Sequence, residues 1–171
     1  VILDREVVVR VYGDPAPKGS LKCVGRRGNR AHVLVEDSAR SLPWRRRVRR
    51  AGEALGLERL EGALTVEATL TVPRPAAHYG TGVNAHTLRP GAPAYPYRRA
   101  TGGHGGDVDK LARLVLDALE DVGVLTDDAQ VVELTARKTY TDGPGVLPDA
   151  LDRPGLRLRL APLTDGVGGL W

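Results

Sequence analysis

Residues 106–140 read GDVDKLARLVLDALEDVGVLTDDAQVVELTARKTY, and the change of period inside this stretch decides the fold class. From Asp107 the apolar set Val108, Leu111, Val115, Ala118, Leu119 and Val122 recurs at helical spacing as far as Gly123, while Asp109, Arg113 and Asp117 line a second, charged face. A turn holding Thr126, Asp127 and Asp128 follows. Then Val132, Leu134 and Ala136 alternate with Glu133, Thr135 and Arg137, the period of a strand. A helix followed by a tight connection and a strand running back can bring the helix's amino-terminal end near other loops at one edge of a sheet.

Outward toward the amino terminus, residues 73–106 have no usable period and are crowded with Pro, Gly, His, Tyr and Arg, which predicts a long, flexible loop. Before it, ALTVEATLTV (63–72) puts Leu64, Val66, Ala68, Leu70 and Val72 on one side and Thr65, Glu67, Thr69 and Thr71 on the other, a half-buried strand. Trp44, Val48, Ala51 and Leu55 predict a helix with an arginine face, Ser41 standing as its N-cap and Gly56 near its end. SLKCV and AHVLVED flank GRRGNR and read as a hairpin with a basic tip; EVVVRVY (6–12) reads as a first strand closed by Gly13-Asp14-Pro15. Toward the carboxyl terminus, Leu156, Leu158 and Leu160 alternate with Arg157 and Arg159 as a last strand, and residues 162–171 form a fraying tail. The sum is one small α+β domain over residues 1–161, with a mixed or antiparallel sheet and two main helices.

The 171 residues suit one domain with a real core. The single Cys23 cannot close an internal disulfide, and no Cys/His spacing suggests structural zinc, so a bound metal would be held by oxygen. The amino-terminal VILDREVVVR has no leader-like pattern and no apolar run is long enough to span a bilayer, so the reading is a soluble cytoplasmic protein. A net charge of +4 decides little by itself. Its distribution says more: residues 45–50, RRRVRR, concentrate Arg45, Arg46, Arg47, Arg49 and Arg50 in the manner of a phosphate-binding helix, although the same run also suits a solvated helix face. Arg26, Arg27 and Arg30 on the hairpin and Arg98 and Arg99 on the long loop are further candidates for phosphate contact. His78, His86 and His104 lack ligand spacing. Tyr79, Tyr95 and Tyr97 suit loop anchoring or stacking on unpaired bases.

Two acidic pairs carry the chemistry. Asp107 and Asp109 open a helix, where a cap and the helix dipole explain them, and Asp127 and Asp128 sit in a turn, where Asp is common for local hydrogen bonding. Together they suggest more, because a hard divalent cation takes one or two carboxylates and leaves its other positions to water and phosphate. A cation also removes the penalty of holding like charges close.

Residues 106–140 resemble the signature segment of the RusA Holliday-junction resolvases: Asp-x-Asp opening a helix, Leu-Asp-Ala-Leu within it, then Asp-Asp-x-Gln-Val-Val and a Lys at the end of the next strand. The loop GDPAPKGS, the arginine-bearing helix and the strand ending in Pro73-Arg74-Pro75 follow the family's order. The resemblance implies a homodimeric bacterial or phage-encoded nuclease that nicks symmetrically related strands of four-way DNA junctions using Mg²⁺ or Mn²⁺, in recombination and repair. It places metal-binding and catalytic roles on Asp107, Asp109 and Asp128, with Lys110 as a DNA contact and Arg113 either as the catalytic cation or as an i,i+4 surface partner of Asp109 and Asp117. Lys110 stands where the family carries Asn, and Arg113 where it often carries Lys; Arg is a fixed, bidentate charge, whereas Lys can give up a proton. Lys138 reads as an ordinary strand-end cation. Nucleases for other branched DNA, and a junction-binding protein that does not cut, are the competing readings.

Overall fold

The computed structural model describes residues 6–19, 21–26, 32–36, 39–56, 59–97 and 106–163. Two 14-residue helices, α1 (Ser41–Ala54) and α2 (Val108–Asp121), pack on a four-stranded mixed sheet formed by β1 (Val7–Tyr12), β4 (Leu64–Val72), β5 (Val131–Tyr140) and β6 (Gly155–Pro162). The strand order is β1-β6-β4-β5; β6 runs antiparallel to both neighbours, and β4 and β5 are parallel. The hairpin expected upstream is present as a separate two-stranded ribbon of β2 (Leu21–Arg26) and β3 (His32–Glu36). The fold is a small single-domain α+β structure. No helix among the described residues is long and apolar enough to cross a membrane.

The register explains the core. Val11, Leu156, Leu70 and Lys138 lie in one row across the sheet, Val9, Leu158, Ala68 and Ala136 in the next, and Val7, Leu160, Val66 and Leu134 in a third. These rows face the helices, which bury Trp44 and Val48 of α1 and Leu111, Leu114, Val115, Ala118 and Leu119 of α2 against them. Gly52 lets the helices approach: a Cβ there would meet Val122 at 3.0 Å and Leu119 at 3.4 Å. Gly123, at φ +72°, ends α2 in the left-handed conformation that glycine adopts without strain.

Several expectations need correction. Arg40, not Ser41, holds the N-cap position of α1, and no side-chain cap hydrogen bond forms there; Ser41 is buried in the first turn instead. The far face of β4 is solvated only in its first half. Thr69 and Thr71 are buried because residues 142–151 fold across them: Thr69 donates to Asp149 at 2.7 Å, and Thr71 accepts from the Leu151 amide at 2.9 Å. Of the segment read as a long loop, residues 73–97 and 106 are described and residues 98–105 lie outside the described residues. The described part contains two 3₁₀ turns, Ala76–His78 and Gly82–Asn84, and an isolated bridge between Tyr79 and Leu88. Its anchor is Arg74, whose buried guanidinium donates to the carbonyls of Asp142 and Pro93 and lies 4.1 Å over the Tyr140 ring. Tyr79 is a second anchor: it donates to Asp142 at 2.5 Å, and burial and that hydrogen bond push its pKa up to about 12.

The Thr69 hydroxyl, with help from Arg157 at 3.7 Å, holds the Asp149 carboxyl below its ordinary value of 3.8. A carboxyl with a depressed folded pKa stabilises the fold in full above its unfolded value and loses that contribution as the pH falls through the folded one. Thr69→Val is therefore expected to cost about 1.5–3 kcal/mol at neutral pH. The loss should shrink on acidification, and acid unfolding should begin at a higher pH than in the wild type, as followed by circular dichroism.

Candidate active site at the amino terminus of helix α2

The parallel pair β4 and β5 is joined through α2, so the helix runs back antiparallel to both strands and its amino terminus stands over their carboxyl ends. Asp107 occupies the N-cap position but makes no side-chain cap hydrogen bond, so capping does not consume its carboxylate. It lies 3.5 Å from Lys110, one turn on, and both side chains are about half exposed. Asp109 is exposed in the first helical turn. Arg113 is exposed too, and among the described residues it has no ion-pair partner; the i,i+4 pairs with Asp109 and Asp117 do not form. Asp117 is instead taken by Lys18, at 2.6 Å.

Lys138 proves to be more than a strand-end cation. It occupies a core-facing position at the end of the row containing Val11, Leu156 and Leu70, and its ammonium folds under the start of α2 to donate to the Gly106 carbonyl at 2.7 Å. Burial pulls its pKa below the ordinary lysine value, and the nearby Asp107 charge opposes that shift. The family's strand-end Lys was visible in the sequence, but its proximity to Asp107 follows only from the crossover. The loop GDPAPKGS is the other wall. The Lys18 amide donates to the Lys110 carbonyl at 3.0 Å, and Pro17 packs so closely on Gly106 that a Cβ there would meet it at 2.8 Å. Tyr95, Pro96, Tyr97, Val108, Ala136 and Lys138 line a shallow cavity of about 240 Å³ beside the site.

The second acidic pair divides its labour. Asp127 caps the 3₁₀ turn Asp128–Gln130 by accepting from the Ala129 amide at 2.8 Å, and the Gln130 side chain reciprocates in a capping box. Gln130 also donates to the Leu60 carbonyl at 3.0 Å. Asp128 is exposed and takes no part in this structural role. The turn, however, follows the carboxyl end of α2. Fourteen residues of helix span about 21 Å, so Asp128 and Asp107 lie at opposite ends of it. Within one chain the three aspartates are not brought together, and the described residues contain no group of three His, Cys, Asp or Glu able to hold a metal ion. The helix itself separates them: the tight connection joins its carboxyl end to β5, and β5 then runs back to the amino-terminal end, where it brings Lys138 and not Asp128. Asp107 and Asp109 alone fit the one or two carboxylates that Mg²⁺ typically takes.

The arginine run is partly committed within the fold. Arg45 clasps Asp121 at the end of α2 through two bonds of 2.7 and 2.9 Å, Arg49 lies 3.9 Å from the same carboxylate, and Arg47 reaches the Tyr12 carbonyl at 3.4 Å. Arg46 and Arg50 are exposed and, among the described residues, have no ion-pair partner. Tyr95 and Tyr97 are exposed; Arg27, Arg30, Arg98, Arg99 and His104 lie outside the described residues.

This end of α2 thus gathers the carboxylates of Asp107 and Asp109 with the cations of Lys110, Arg113 and Lys138 on a small α+β domain. The family model described as Endodeoxyribonuclease RusA matches residues 13–147, which include both ends of α2, Lys138 and the arginine run, and the chain belongs to that family. Membership implies endodeoxyribonuclease activity on Holliday junctions. No curated protein sequence matches the chain.

The close seat of Gly106 on Pro17 is open to a direct check. Gly106→Ala is expected to displace residues 15–19 and cost about 1–3 kcal/mol, read as a lower Tm. Amide exchange should quicken at Lys18, whose hydrogen bond depends on that seat.

Proposed function

We propose that the chain resolves Holliday junctions as a homodimer, hydrolysing two symmetrically related phosphodiesters in a reaction that requires Mg²⁺ or Mn²⁺. The observation that carries this reading is the Asp107 carboxylate, standing at the start of α2 without a capping role, with Asp109 and Lys138 beside it. Asp107 and Asp109 would hold the divalent ion, and Asp128 is the third acidic ligand that the family motif assigns. Held by these carboxylates, a divalent ion would supply charge neutralisation at the scissile phosphate and activation of water at neutral pH.

The chain's own residues do the rest. Arg113, exposed one turn inward from Asp109, presents a fixed guanidinium to the non-bridging phosphate oxygens. Lys138 offers a desolvated ammonium fixed by the Gly106 carbonyl. Lys110 helps set the charge at Asp107 and faces the DNA backbone. Arg46, Arg49 and Arg50, with Arg45 and Arg47 behind them, follow the phosphates of a junction arm. The activity belongs to recombination and repair in the cytoplasm of a bacterium, or serves a phage.

The test is nicking of a synthetic four-way junction against linear duplex of the same sequence, with and without Mg²⁺. The wild type is expected to make paired, ligatable nicks in the junction only with metal, and Asp107→Asn to lose at least about 10²-fold in rate while still binding. Tight junction binding without cutting would favour the non-catalytic binder, and preference for forks or flaps would favour a broader nuclease. For the arginine helix, Arg46→Ala with Arg50→Ala should weaken binding equally for all sequences and reduce the slope of log K against log salt by about 2. Arg45→Ala should reduce it less, because Asp121 already engages that guanidinium.

A further inference from the structure

Beside the carboxylates of α2 lies a slot to which the reading above gives no occupant. Ala136 and Lys138 of β5 form its floor, Val108 in the first turn of α2 one wall, and the segment Tyr95-Pro96-Tyr97 the other. Val108 stands between Asp107 and Asp109 in the chain, so the slot opens within one residue of both. At about 240 Å³ it falls below the roughly 300–1,000 Å³ of pockets for drug-sized ligands and suits a single flat ring system.

The two tyrosines are exposed yet supported. Tyr95 is 58% and Tyr97 66% exposed, while Pro96 between them is buried. The Tyr97 amide donates to the Tyr95 carbonyl at 2.9 Å, closing a three-residue turn. Behind Tyr95 the chain at Gly145 comes so near that a Cβ there would meet the ring at 2.9 Å, and Arg74 holds the Pro93 carbonyl at 2.6 Å. Tyr79, by contrast, donates to Asp142 and serves the loop itself. Large rings held in water on such a support form a contact surface for a flat, apolar partner.

Charge narrows the choice of partner. The Lys138 ammonium is engaged by the Gly106 carbonyl and the other lining residues are uncharged, so the slot offers little to a phosphate. Ring faces suit a nucleobase, and stacking on them tolerates any base. In linear duplex every base is already stacked between neighbours and must be unstacked to leave; an unpaired base at a branch point moves at the smallest cost. We propose that the slot takes the nucleobase next to the scissile phosphate at a branch point, stacked on the rings of Tyr95 and Tyr97, and that this contact sets a preference for branched DNA over duplex. The link to scission rests on the nuclease reading above; the base contact rests on the slot's own geometry.

Two measurements on the full chain test it, and neither needs cutting. An iodouracil base placed beside the crossover of a four-way junction should photo-cross-link, without metal, to residues 95–97; a label midway along an arm or in linear duplex should not. In binding titrations, Tyr95→Ala with Tyr97→Ala should lose about tenfold or more in affinity for the junction. That variant should keep its affinity for duplex and its slope of log K against log salt, since no phosphate contact is removed. Tyr95→Phe with Tyr97→Phe should behave as the wild type, because the ring and not the hydroxyl stacks. Absence of the cross-link overturns the base contact, whether or not the wild type cuts. An Ala variant that leaves junction binding unchanged or weakens duplex binding equally also overturns it, as does a Phe variant as impaired as the Ala one. The cross-link and the junction-specific loss, in a wild type that cuts no branched DNA, support the base contact and overturn the nuclease reading instead.

Discussion

The parallel pairing of β4 with β5 is the constraint from which the arrangement of the site follows. Parallel neighbours cannot be joined by a hairpin, so the chain must cross from the end of one strand to the start of the next, and here α2 makes the return. The crossover sets three things at once. It lays the apolar face of α2 on the core rows of the sheet, it raises the helix's amino terminus over the carboxyl ends of the strands, and it leaves the following turn at the opposite edge. Carboxylates close in sequence to the two helix ends are thereby held about a helix length apart.

Around the amino-terminal end, unlike elements converge for separate reasons. Lys138 arrives because a core-facing row of the sheet ends in a lysine whose stem continues the apolar surface while its ammonium finds a carbonyl. The loop of residues 13–19 arrives because β1 lies at the far side of the sheet and its chain must pass α2, where Lys18 is held by Asp117 and by a backbone bond. The long loop after β4 is held away from the core by Arg74, whose guanidinium is satisfied by carbonyls and an aromatic face, an arrangement that lets a buried charge stay paired. Asp109 and Arg113 remain exposed around this end.

Much of the fold was legible in the residues. The helix from Asp107 and the strand after Gln130 stood out because their periods of about 3.6 and 2 are long and clean, and the strand of residues 63–72 for the same reason. Less legible were features set by distant partners. Ser41 has the chemistry of a cap but packs inward with α1, and Thr69 and Thr71 have the alternation of a solvated face but are covered by a segment some eighty residues away. Composition also did not show that Arg74 and Tyr79 would hold the described part of the loop after β4 through Asp142. At the site, the motif pointed to Asp107, Asp109 and Asp128 as one set, although the helical period between them already implied a helix length of separation, which α2 confirms.

The sequence by itself determined the elements, the core faces and the residue types of the site, because each depends on period and on local chemistry. Family membership was likewise legible there, carried by a motif of adjacent residues. Only the tertiary structure decided which aspartate caps and which stands exposed, and that Lys138 belongs with Asp107. Those are matters of strand order and direction, and the choice of a parallel neighbour for β5 is made by the packing of the whole sheet against two helices, not by any local stretch of the chain.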